Sequence, residues 1–330
     1  MNITVLGAGA WGTALAAALA LRHAVHLWAR DGKAAAAIAA TRHNERYLPG
    51  IELPSTLRCT AGFGAAVADA RHGLLLIATP TAALRDLLRQ LRGHAALPPI
   101  GWLCKGLERG SAAMAHEIAR DELGGHPAGP LSGPSFAQEV AQGLPTALVV
   151  AGDDPFCALV TEALHGPSLR IYSSRDVTGV EVGGAVKNVL AIATGICDAL
   201  ALGHNARAAL ITRGLAEISR LGTALGAEAQ TFMGLAGVGD LILTCTGELS
   251  RNRQVGLMLG QGLHLEQALA RVGHVAEGVW SAAAVRQRAA ALAVQMPITD
   301  AVCAVLEGQV SPRRALERLL ARDPRREGVE

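Results

Sequence analysis

The sequence predicts an α/β protein in two parts: an N-terminal Rossmann-type doubly wound sheet over residues 1–178, and an all-α C-terminal domain over residues 179–330. A short β-branched run, ITVL, leads through a glycine-rich turn into an alanine-rich helical segment within the first twenty residues. Apolar runs then alternate with helical patterns to about residue 178, which is typical of a doubly wound sheet. From residue 179 onward apolar residues recur at helical spacing, with hardly a strand signal.

The first glycines form the pattern Gly7-x-Gly9-x-x-Gly12 between a predicted strand and a predicted helix. In such a turn the first glycine permits a tight bend, the second lets the backbone approach a pyrophosphate, and the third lets the helix pack on the strand. Alanine- and glycine-rich chains also produce this pattern by chance. Here a second strand, AVHLWAR, follows at the distance of a βαβ unit, so we predict a dinucleotide site.

The end of that second strand bears on the choice of cofactor. Arg30 stands at the strand end and Asp31 follows it. An arginine at this point accommodates the 2′-phosphate of NADP, whereas an acidic residue usually binds the ribose 2′-hydroxyl of NAD. Arg30 therefore favours NADPH, and Asp31 leaves NADH open. A solvated strand end would account for both residues without a ligand.

Further strands are predicted at residues 73–79, 98–104, 146–152 and 169–174. In an open α/β sheet, ligands bind beyond the carboxyl ends of the strands. Lys105 follows one strand at this edge, and the segment LSGPSFAQEV follows another short apolar run. Its Gly133 and Ser135 could offer backbone N–H groups and a hydroxyl to a ligand; alternatively, Ser135 is only a helix N-cap.

Lys187 interrupts the apolar helical pattern VEVGGAVKNVLAIATGICDAL, residues 180–200. Burying an ammonium group costs several kcal/mol unless the group is paired or neutral. Burial, or a nearby cation such as Lys105, would lower the pKa of Lys187 toward neutrality and suit it to proton transfer. The alternative is a surface lysine whose stem follows the edge of the apolar face.

A third group of polar residues lies in GLAGVGDLILTCTGELSRNRQVG, residues 234–256. Asp240 follows a glycine-rich turn, and Thr244 follows it by four positions. Ser250, Arg251 and Asn252, with Arg253 beyond them, form a dense set of donors that suits phosphate oxygens. A solvated loop with a helix N-cap at Ser250 or Asn252 is the alternative. Together with a nicotinamide site, these residues indicate oxidation of a hydroxyl on a small phosphorylated molecule.

Composition excludes several other classes of protein. The chain has 330 residues, half of them hydrophobic, and a net charge of +2 without a long basic run. Nucleic acid and anionic membranes are therefore not expected partners. No signal peptide or membrane span is recognisable, so we expect a soluble, cytoplasmic protein. Without a CxxC pair, the cysteines indicate reduced thiols and no metal site; they are Cys59, Cys104, Cys157, Cys197, Cys245 and Cys303.

The chain resembles the bacterial-type NAD(P)-dependent sn-glycerol-3-phosphate dehydrogenases almost from end to end. The resemblance is carried by GAGAWGTALA, NERYLPG, CKGLE, GPSFAQEV, GVEVGGAVKNVLAIATGICDAL, GHNARAALITRGLAEISRLG, GLAGVGDLILTCTGELSRNRQVG and VAEGVWSA. It implies reversible reduction of dihydroxyacetone phosphate to sn-glycerol 3-phosphate, which supplies phospholipid synthesis. It is compatible with a homodimer.

The resemblance also implies roles for individual residues. Lys187 matches the proton acceptor of the family, Lys105 a lysine shared by cofactor and substrate, and Thr244 a threonine that supports catalysis in eukaryotic relatives. The remaining substrate contacts would be Gly133, Ser135, Asp240, Ser250, Arg251 and Asn252. The cofactor contacts beyond the glycine turn would be Trp11, Arg30, Lys105, Ala137, Arg251, Val275 and Glu277.

Two departures from the family pattern affect the cofactor site. Ala10 replaces a serine that many relatives have, and Arg30 replaces a histidine, so cofactor preference cannot be transferred. The nearest alternative function is a β-hydroxyacid dehydrogenase of the same architecture, against which the ELSRNR cluster favours a phosphate. A redox sensor without turnover would need no convergence of lysine, aspartate and arginine on the nicotinamide, and would normally carry a nucleic-acid-binding segment.

Overall fold

The computed structural model of the chain describes residues 1–94, 96–273 and 275–321. Among them, an eight-stranded sheet has the order β10-β9-β8-β7-β6-β1-β2-β5, and β3 and β4 form a separate hairpin. The strands are β1 Asn2–Leu6, β2 Ala24–Trp28, β3 His43–Asn44, β4 Leu48–Glu52, β5 Arg58–Thr60, β6 Leu74–Ile77, β7 Ile100–Trp102, β8 Ala128–Ser132, β9 Thr146–Ala151 and β10 Leu169–Ser174.

The sheet changes winding direction at β1, which lies between β2 and β6 and is parallel to both. A crevice at the carboxyl ends of β1 and β6 is the usual ligand position in such a sheet. The pairing of β8 with β9 is antiparallel. The carboxyl ends of β9 and β10 consequently lie at the opposite edge, away from Lys105 and Gly133.

Helices cover both faces of the sheet and bury its apolar strands; β6 is completely buried. The helices of this part are α1 Ala10–Ala20, α2 Gly32–Thr41, α3 Phe63–Asp69, α4 Leu84–Arg92, α5 Ala115–Leu123, α6 Ala137–Ala141 and α7 Asp154–Leu164. The alternation of strands and helices confirms the predicted doubly wound fold.

The remainder of the described chain is helical, as predicted. Its helices are α8 Val177–Ala199, α9 Gly203–Ala224, α10 Asp240–Thr246, α11 Arg251–Gly260, α12 Leu265–Val272, α13 Glu277–Ala291, α14 Pro297–Leu306 and α15 Pro312–Leu320. Asp176 caps α8 by accepting a hydrogen bond from the Gly179 N–H at 2.8 Å. The predicted boundary between residues 178 and 179 therefore falls in the first turn of α8.

Helix α8 is the centre of the helical part. It is long and apolar enough to cross a membrane, but 89% of its most apolar window is buried inside the protein, so it is a core helix. Glu181 joins it to the sheet: its carboxylate accepts hydrogen bonds from Trp102 Nε1 at 2.9 Å and from both the backbone and the ring of His116.

The crossing of α8 and α11 depends on two glycines that bring the backbones together. A Cβ at Gly195 would lie 2.1 Å from the Arg253 carbonyl oxygen, and a Cβ at Gly256 would lie 2.1 Å from that of Ile192. Neither position leaves room for a methyl group unless the helices separate. Separation would displace Lys187, which lies on α8, from the helices that face it.

The structure differs from expectation in its short strands. The β3–β4 hairpin and β5 were not predicted, since β3 and β5 have only two and three residues, too few to show an alternating pattern. All six cysteines are free thiols, four of them buried.

We expect Gly256→Ala to destabilise the protein by about 1–3 kcal/mol, the usual cost of overpacking a tight contact. Gly125→Ala is the matched control, because a Cβ there would meet nothing within 4 Å. Denaturant unfolding of both variants measures the difference. Equal midpoints would contradict the tight crossing.

Candidate active site

The predicted glycine turn lies at the crevice between β1 and β6. Gly7 has φ +123°, and a Cβ on it would lie 2.8 Å from the Ala78 carbonyl oxygen. A Cβ on Gly12 would lie 1.9 Å from the Gly7 carbonyl oxygen. Both positions therefore require glycine, one for the bend and the other for the packing of α1 against the turn.

The turn leaves space and free N–H groups for an anion such as the diphosphate of a dinucleotide. A Cβ at Gly9 would meet nothing within 4 Å, and no side chain caps the N-terminus of α1. The free N–H groups of a helix N-terminus favour an anion. The buried hydroxyls of Thr79 and Thr81, which follow β6, have no hydrogen-bond partner among the described residues. Sequence patterns did not single out these two threonines; their place just after a buried strand is the one available signal.

Arg30 lies beyond the carboxyl end of β2 and is exposed to solvent. Asp31 also is exposed, and its Oδ1 accepts a hydrogen bond from the Lys33 N–H at 2.9 Å, capping α2. One oxygen of Asp31 is thus used within the protein, while the guanidinium of Arg30 faces solvent.

Asp240 connects the sheet to the helical part through two lysines. Lys105, which follows β7, donates to Oδ2 of Asp240 at 2.7 Å. Lys187, on α8, donates to Oδ1 at 2.5 Å. Asp240 is 1% exposed, so the carboxylate is shared by two ammonium groups and almost excluded from water.

Burial and charge act in opposite directions on this cluster. Burial lowers the pKa of Lys187 to about 8; the carboxylate of Asp240 opposes the shift and the ammonium of Lys105 adds to it. Burial raises the pKa of Asp240, but the two lysines outweigh this effect, and its pKa lies below the ordinary value. The cluster therefore carries a net positive charge, with one lysine able to exchange a proton near neutral pH.

Thr244 completes the surroundings of Lys187. Its hydroxyl accepts a hydrogen bond from Lys187 Nζ at 2.9 Å and donates to the backbone carbonyl of Asp240 at 2.6 Å. Since Asp240 and Thr244 are one turn apart on α10, both face α8. The sequence prediction of a buried lysine is confirmed, and the surface alternative is wrong.

The turn after β8 lies next to Lys105. Gly133 has φ +129°, and its carbonyl accepts a hydrogen bond from Lys105 Nζ at 3.1 Å. The Ser135 hydroxyl donates to that same carbonyl at 2.9 Å, while the Ser135 carbonyl accepts from Trp11 Nε1 at 3.2 Å. Ser135 is not an N-cap, because α6 begins at Ala137 with Phe136 at the cap position. Trp11 and Ala137 each pack against the same small apolar cluster of Ala14, Leu48 and Val140.

The donors of ELSRNR are divided between structural and free roles. Ser250 caps α11 and accepts from the Arg253 N–H at 3.3 Å. The Arg253 guanidinium binds Asp198, with Nη2 to Oδ2 at 2.7 Å. Arg251 is exposed and has no hydrogen-bonding or ion-pair partner among the described residues. Of the two arginines, Arg251 is thus the one available to a ligand.

A chain of amide groups ties these segments together. Asn252 Nδ2 donates to Asn188 Oδ1 at 2.9 Å, and Asn252 Oδ1 accepts from the Gly278 N–H at 2.9 Å. Asn188 Nδ2 donates in turn to the Lys105 carbonyl at 3.4 Å. Asn188 also donates to the Gly184 carbonyl one turn away, but its other partners lie too far away in the chain for any local pattern to reveal them.

Glu277 begins α13 and faces the loop after β7. Burial raises the pKa of its carboxyl to about 7, opposed by the backbone N–H of Thr81 and by the charge of Arg251. Although Arg251 as a whole is exposed, its guanidinium is partly desolvated at the cleft, which lowers its pKa, and the charge of Glu277 opposes that shift. Val275, just before α13, is 43% exposed. Glu277 and Arg251 therefore lie near each other at the cleft between the two parts.

This arrangement can bind an anion and exchange a proton beside an open dinucleotide crevice. Within the described ranges no group of His, Cys, Asp and Glu side chains could hold a metal ion. The charged and titratable side chains around the cleft are those of Lys105, Lys187, Asp240, Arg251 and Glu277.

Two protein-family models match the chain. One, described as the N-terminus of NAD-dependent glycerol-3-phosphate dehydrogenase, matches residues 2–158. The other, described as the C-terminus of the same enzyme, matches residues 176–317. The two matches correspond to the sheet part and the helical part of the fold.

Relatives of nearly equal length are similar along the whole chain. A glycerol-3-phosphate dehydrogenase (NAD(P)+) of Paucimonas lemoignei is 61% identical, over 100% of this chain and 99% of the relative. One of Methylibium petroleiphilum is 60% identical, over 99% of each chain. The crystal structure of glycerol-3-phosphate dehydrogenase from Coxiella burnetii has 41% identity and a TM-score of 0.94, over 97% of this chain and 99% of that chain.

Proposed function

Because the chain belongs to the family of NAD-dependent glycerol-3-phosphate dehydrogenases, we propose that Lys187 is the general acid and base of its reaction. That reaction is the reduction of dihydroxyacetone phosphate to glycerol 3-phosphate, and its reverse, with NAD(P)(H) as cofactor. The β-hydroxyacid dehydrogenase alternative is not supported.

The single observation that carries the proposal is the buried Lys187–Asp240–Lys105 cluster. With its pKa near 8, Lys187 is mostly protonated at neutral pH and can still release its proton. A general acid works best when its pKa lies near the working pH. Asp240 and Thr244 hold the ammonium in one place, which reduces the entropy lost when the reacting groups align.

The other two members of the cluster, Lys105 and Asp240, set its net charge. Two ammonium groups and one carboxylate leave a net positive charge, which stabilises negative charge developing on the carbonyl oxygen. The chemistry that a bound NAD(P)H would supply is a hydride for the carbonyl carbon. Lys187 gives its proton to the carbonyl oxygen during reduction and takes a proton from the hydroxyl during oxidation. Lys105 and Asp240 bind the substrate oxygens from the sheet side and the helical side.

Arg251 is the proposed ligand of the substrate phosphate. Its planar guanidinium can bind two phosphate oxygens, and it lacks a partner within the described part of the chain. Gly133 and Ser135 would contribute from the turn after β8. Ser250 and Asn252 complete the proposed contacts; each has a structural bond already, and each retains a further donor hydrogen.

The proposed cofactor contacts surround the crevice at β1. Gly7, Gly9 and Gly12 shape the turn, and Trp11 and Ala137 form its rim. Arg30 would bind the 2′-phosphate of NADPH, since it is a cation at the strand end with its guanidinium in solvent. Lys105, Arg251, Val275 and Glu277 would close the crevice from the cleft side.

We further propose a cytoplasmic enzyme that supplies glycerol 3-phosphate as the backbone of membrane phospholipids, with residues 1–178 binding the cofactor and residues 179–330 most of the substrate. Two copies of the chain would form its homodimer. The product itself supports the lipid role, because its two free hydroxyls can each accept an acyl group.

Lys187→Ala should lower kcat by about 10²- to 10⁴-fold, the usual contribution of a general acid or base. Lys187→Met, which preserves the apolar stem of the side chain, should lower kcat by the same factor. Quenching of intrinsic fluorescence by NADPH should show nearly unchanged cofactor affinity in both variants. A variant with more than about a tenth of the wild-type kcat would rule out the assignment.

The same role sets the sign of the pH dependence. Reduction needs protonated Lys187, so its kcat should fall as the pH rises through about 8. Oxidation needs neutral Lys187, so its kcat should rise over the same interval. Steady-state rates in both directions, from about pH 6 to about pH 10, test this. A change of the same sign in both directions would contradict it.

Arg30→Asp should weaken NADPH binding far more than NADH binding. The 2′-phosphate would lose a cation and meet a like charge, whereas NADH has no phosphate at that position. Arg71→Asp is the control for the change in net charge, because Arg71 is exposed in a turn before β6. Equal losses for both cofactors would place Arg30 outside the ribose site.

Arg251→Ala should lower kcat/KM for dihydroxyacetone phosphate by roughly 30-fold or more, since truncating one side of a charged pair costs about 2–5 kcal/mol. The kcat/KM for unphosphorylated dihydroxyacetone should fall much less in the same variant. Both substrates are compared at saturating cofactor, because Glu277 brings Arg251 close to the cofactor side. An equal loss for both would mean that the phosphate is bound elsewhere.

A further inference from the structure

The loop between β7 and α5, residues 103–114, carries Lys105 and connects the two parts of the fold. We call it the Lys105 loop. Leu107, Ala112 and Met114 are 7%, 1% and 2% exposed, and all three pack in the hydrophobic core of the helical part. The loop emerges from the sheet, and Leu103, Cys104 and Ala113 pack against the sheet-side clusters, whereas these three buried side chains belong to the other core. Lys105 lies at the start of this crossing.

The charged residue Glu108 of the loop is bound on the sheet side. Glu108 accepts a bidentate pair of hydrogen bonds from Arg85 on α4, Nε to Oε1 at 2.7 Å and Nη2 to Oε2 at 2.8 Å. The side chains of Arg85 and Glu108 are 21% and 17% exposed, so the pair is largely shielded from water. Arg85 Nη1 also donates to Glu122 of α5 at 2.9 Å. The same guanidinium that binds the loop is consequently also held by α5.

The backbone of the loop is folded around the same residue. The Glu108 N–H donates to the Ala113 carbonyl at 2.8 Å, and the Ala112 N–H donates to the Glu108 carbonyl at 2.9 Å. Ser111 Oγ donates to Glu108 Oε2 at 2.6 Å. Ala112 has φ +55°, a conformation that is unfavourable for alanine and is held by these bonds. The shape of the loop therefore depends on Glu108.

We propose that Glu108, held by Arg85, is a positioning residue that sets the place of the Lys105 ammonium between Asp240 and the Gly133 carbonyl. This inference rests on the proposed function of the lysine cluster. Two residues separate Lys105 from Glu108, and Leu107, Ala112 and Met114 hold their parts of the loop in the helical core. Through its bonds to Arg85, Glu108 also ties the loop to α4 on the sheet side.

A displaced Lys105 has two consequences for the reaction. The Lys105 ammonium is no longer in the position to bind the substrate. A misplacement of about 1 Å typically lowers the rate on the order of 100-fold. Lys187 also loses a like charge and keeps the carboxylate of Asp240. The pKa of Lys187 should therefore rise, because in the intact site the charge of Lys105 adds to the effect of burial in lowering it. Asp240, Lys105 and Thr244 are the polar groups that face the Lys187 ammonium.

The test uses Glu108→Gln and Arg85→Gln in the full chain, with Arg89→Gln as matched control. Arg89 lies one turn from Arg85 on α4 and binds Glu122 but not Glu108. We expect kcat for reduction to fall by about 10- to 100-fold in the first two variants. The fall of kcat with rising pH should move to higher pH, with little change in the Kd of NADPH. Arg89→Gln should retain wild-type kcat and the wild-type pH profile.

A double variant tests whether the pair acts as a unit. Glu108→Gln with Arg85→Gln should lose no more kcat than the worse single variant; additive losses would overturn the proposal. Arg85→Lys, which keeps the charge and loses the bidentate geometry, serves if a glutamine variant does not fold, and it too should lose kcat.

Thermal unfolding separates positioning from stability. If Glu108→Gln and Arg85→Gln lower Tm but leave kcat and the pH profile as in Arg89→Gln, the pair is structural and the inference is wrong. Lys187→Ala is assayed in the same series. Retained activity in that variant refutes the proposed function itself, whereas lost activity there with unchanged loop variants refutes only the positioning role.

Discussion

The carboxylate of Asp240 is shared by two ammonium groups, and the rest of the site is built around that contact. One lysine comes from the loop after β7 and the other from the interior of α8, so a single buried carboxylate joins the sheet to the helical part. Each of these charges alone would cost several kcal/mol to bury, and removing one partner of a buried pair commonly costs about 3–5 kcal/mol. Burial lowers the pKa of Lys187, and the contact with Asp240 opposes that shift and holds the ammonium in place.

Helix α8 makes this contact rigid. Its glycines let α11 approach its backbone closely, and its apolar side chains are buried on nearly all sides. A side chain on such a helix has little freedom, which suits a group that must meet a reacting atom. Arg30 and Arg251, which are proposed to recognise the phosphates, are by contrast exposed. The proposed acid and base is thus fixed by the core, while the proposed phosphate ligands lie at the surface.

Much of the fold could be predicted because its signals are local. The strands β1, β6, β9 and β10 lie within a few residues of their predicted bounds. β1, β6 and β9 are largely buried apolar runs between turns, whereas buried and exposed residues alternate in β10. The direction of β9 was not predictable in this way. An apolar run has the same appearance whether its strand is parallel or antiparallel, and only the pairing with β8 decides it. That pairing also decides which strand ends reach the site.

The sequence by itself determined the glycine turn between strand and helix, the helical second half and the anomalous lysine within α8. These follow from backbone sterics and from apolar periodicity, both of which act over a few residues. Only the tertiary structure decided the use of each polar side chain. Ser250 caps a helix, Arg253 binds Asp198, and Arg251 has no hydrogen-bonding or ion-pair partner within the described ranges, although all three lie within four positions. Lys105 meets Asp240 from 135 residues away. A buried polar group takes whichever partner the packing of distant segments brings within about 3 Å, and no local pattern contains that information.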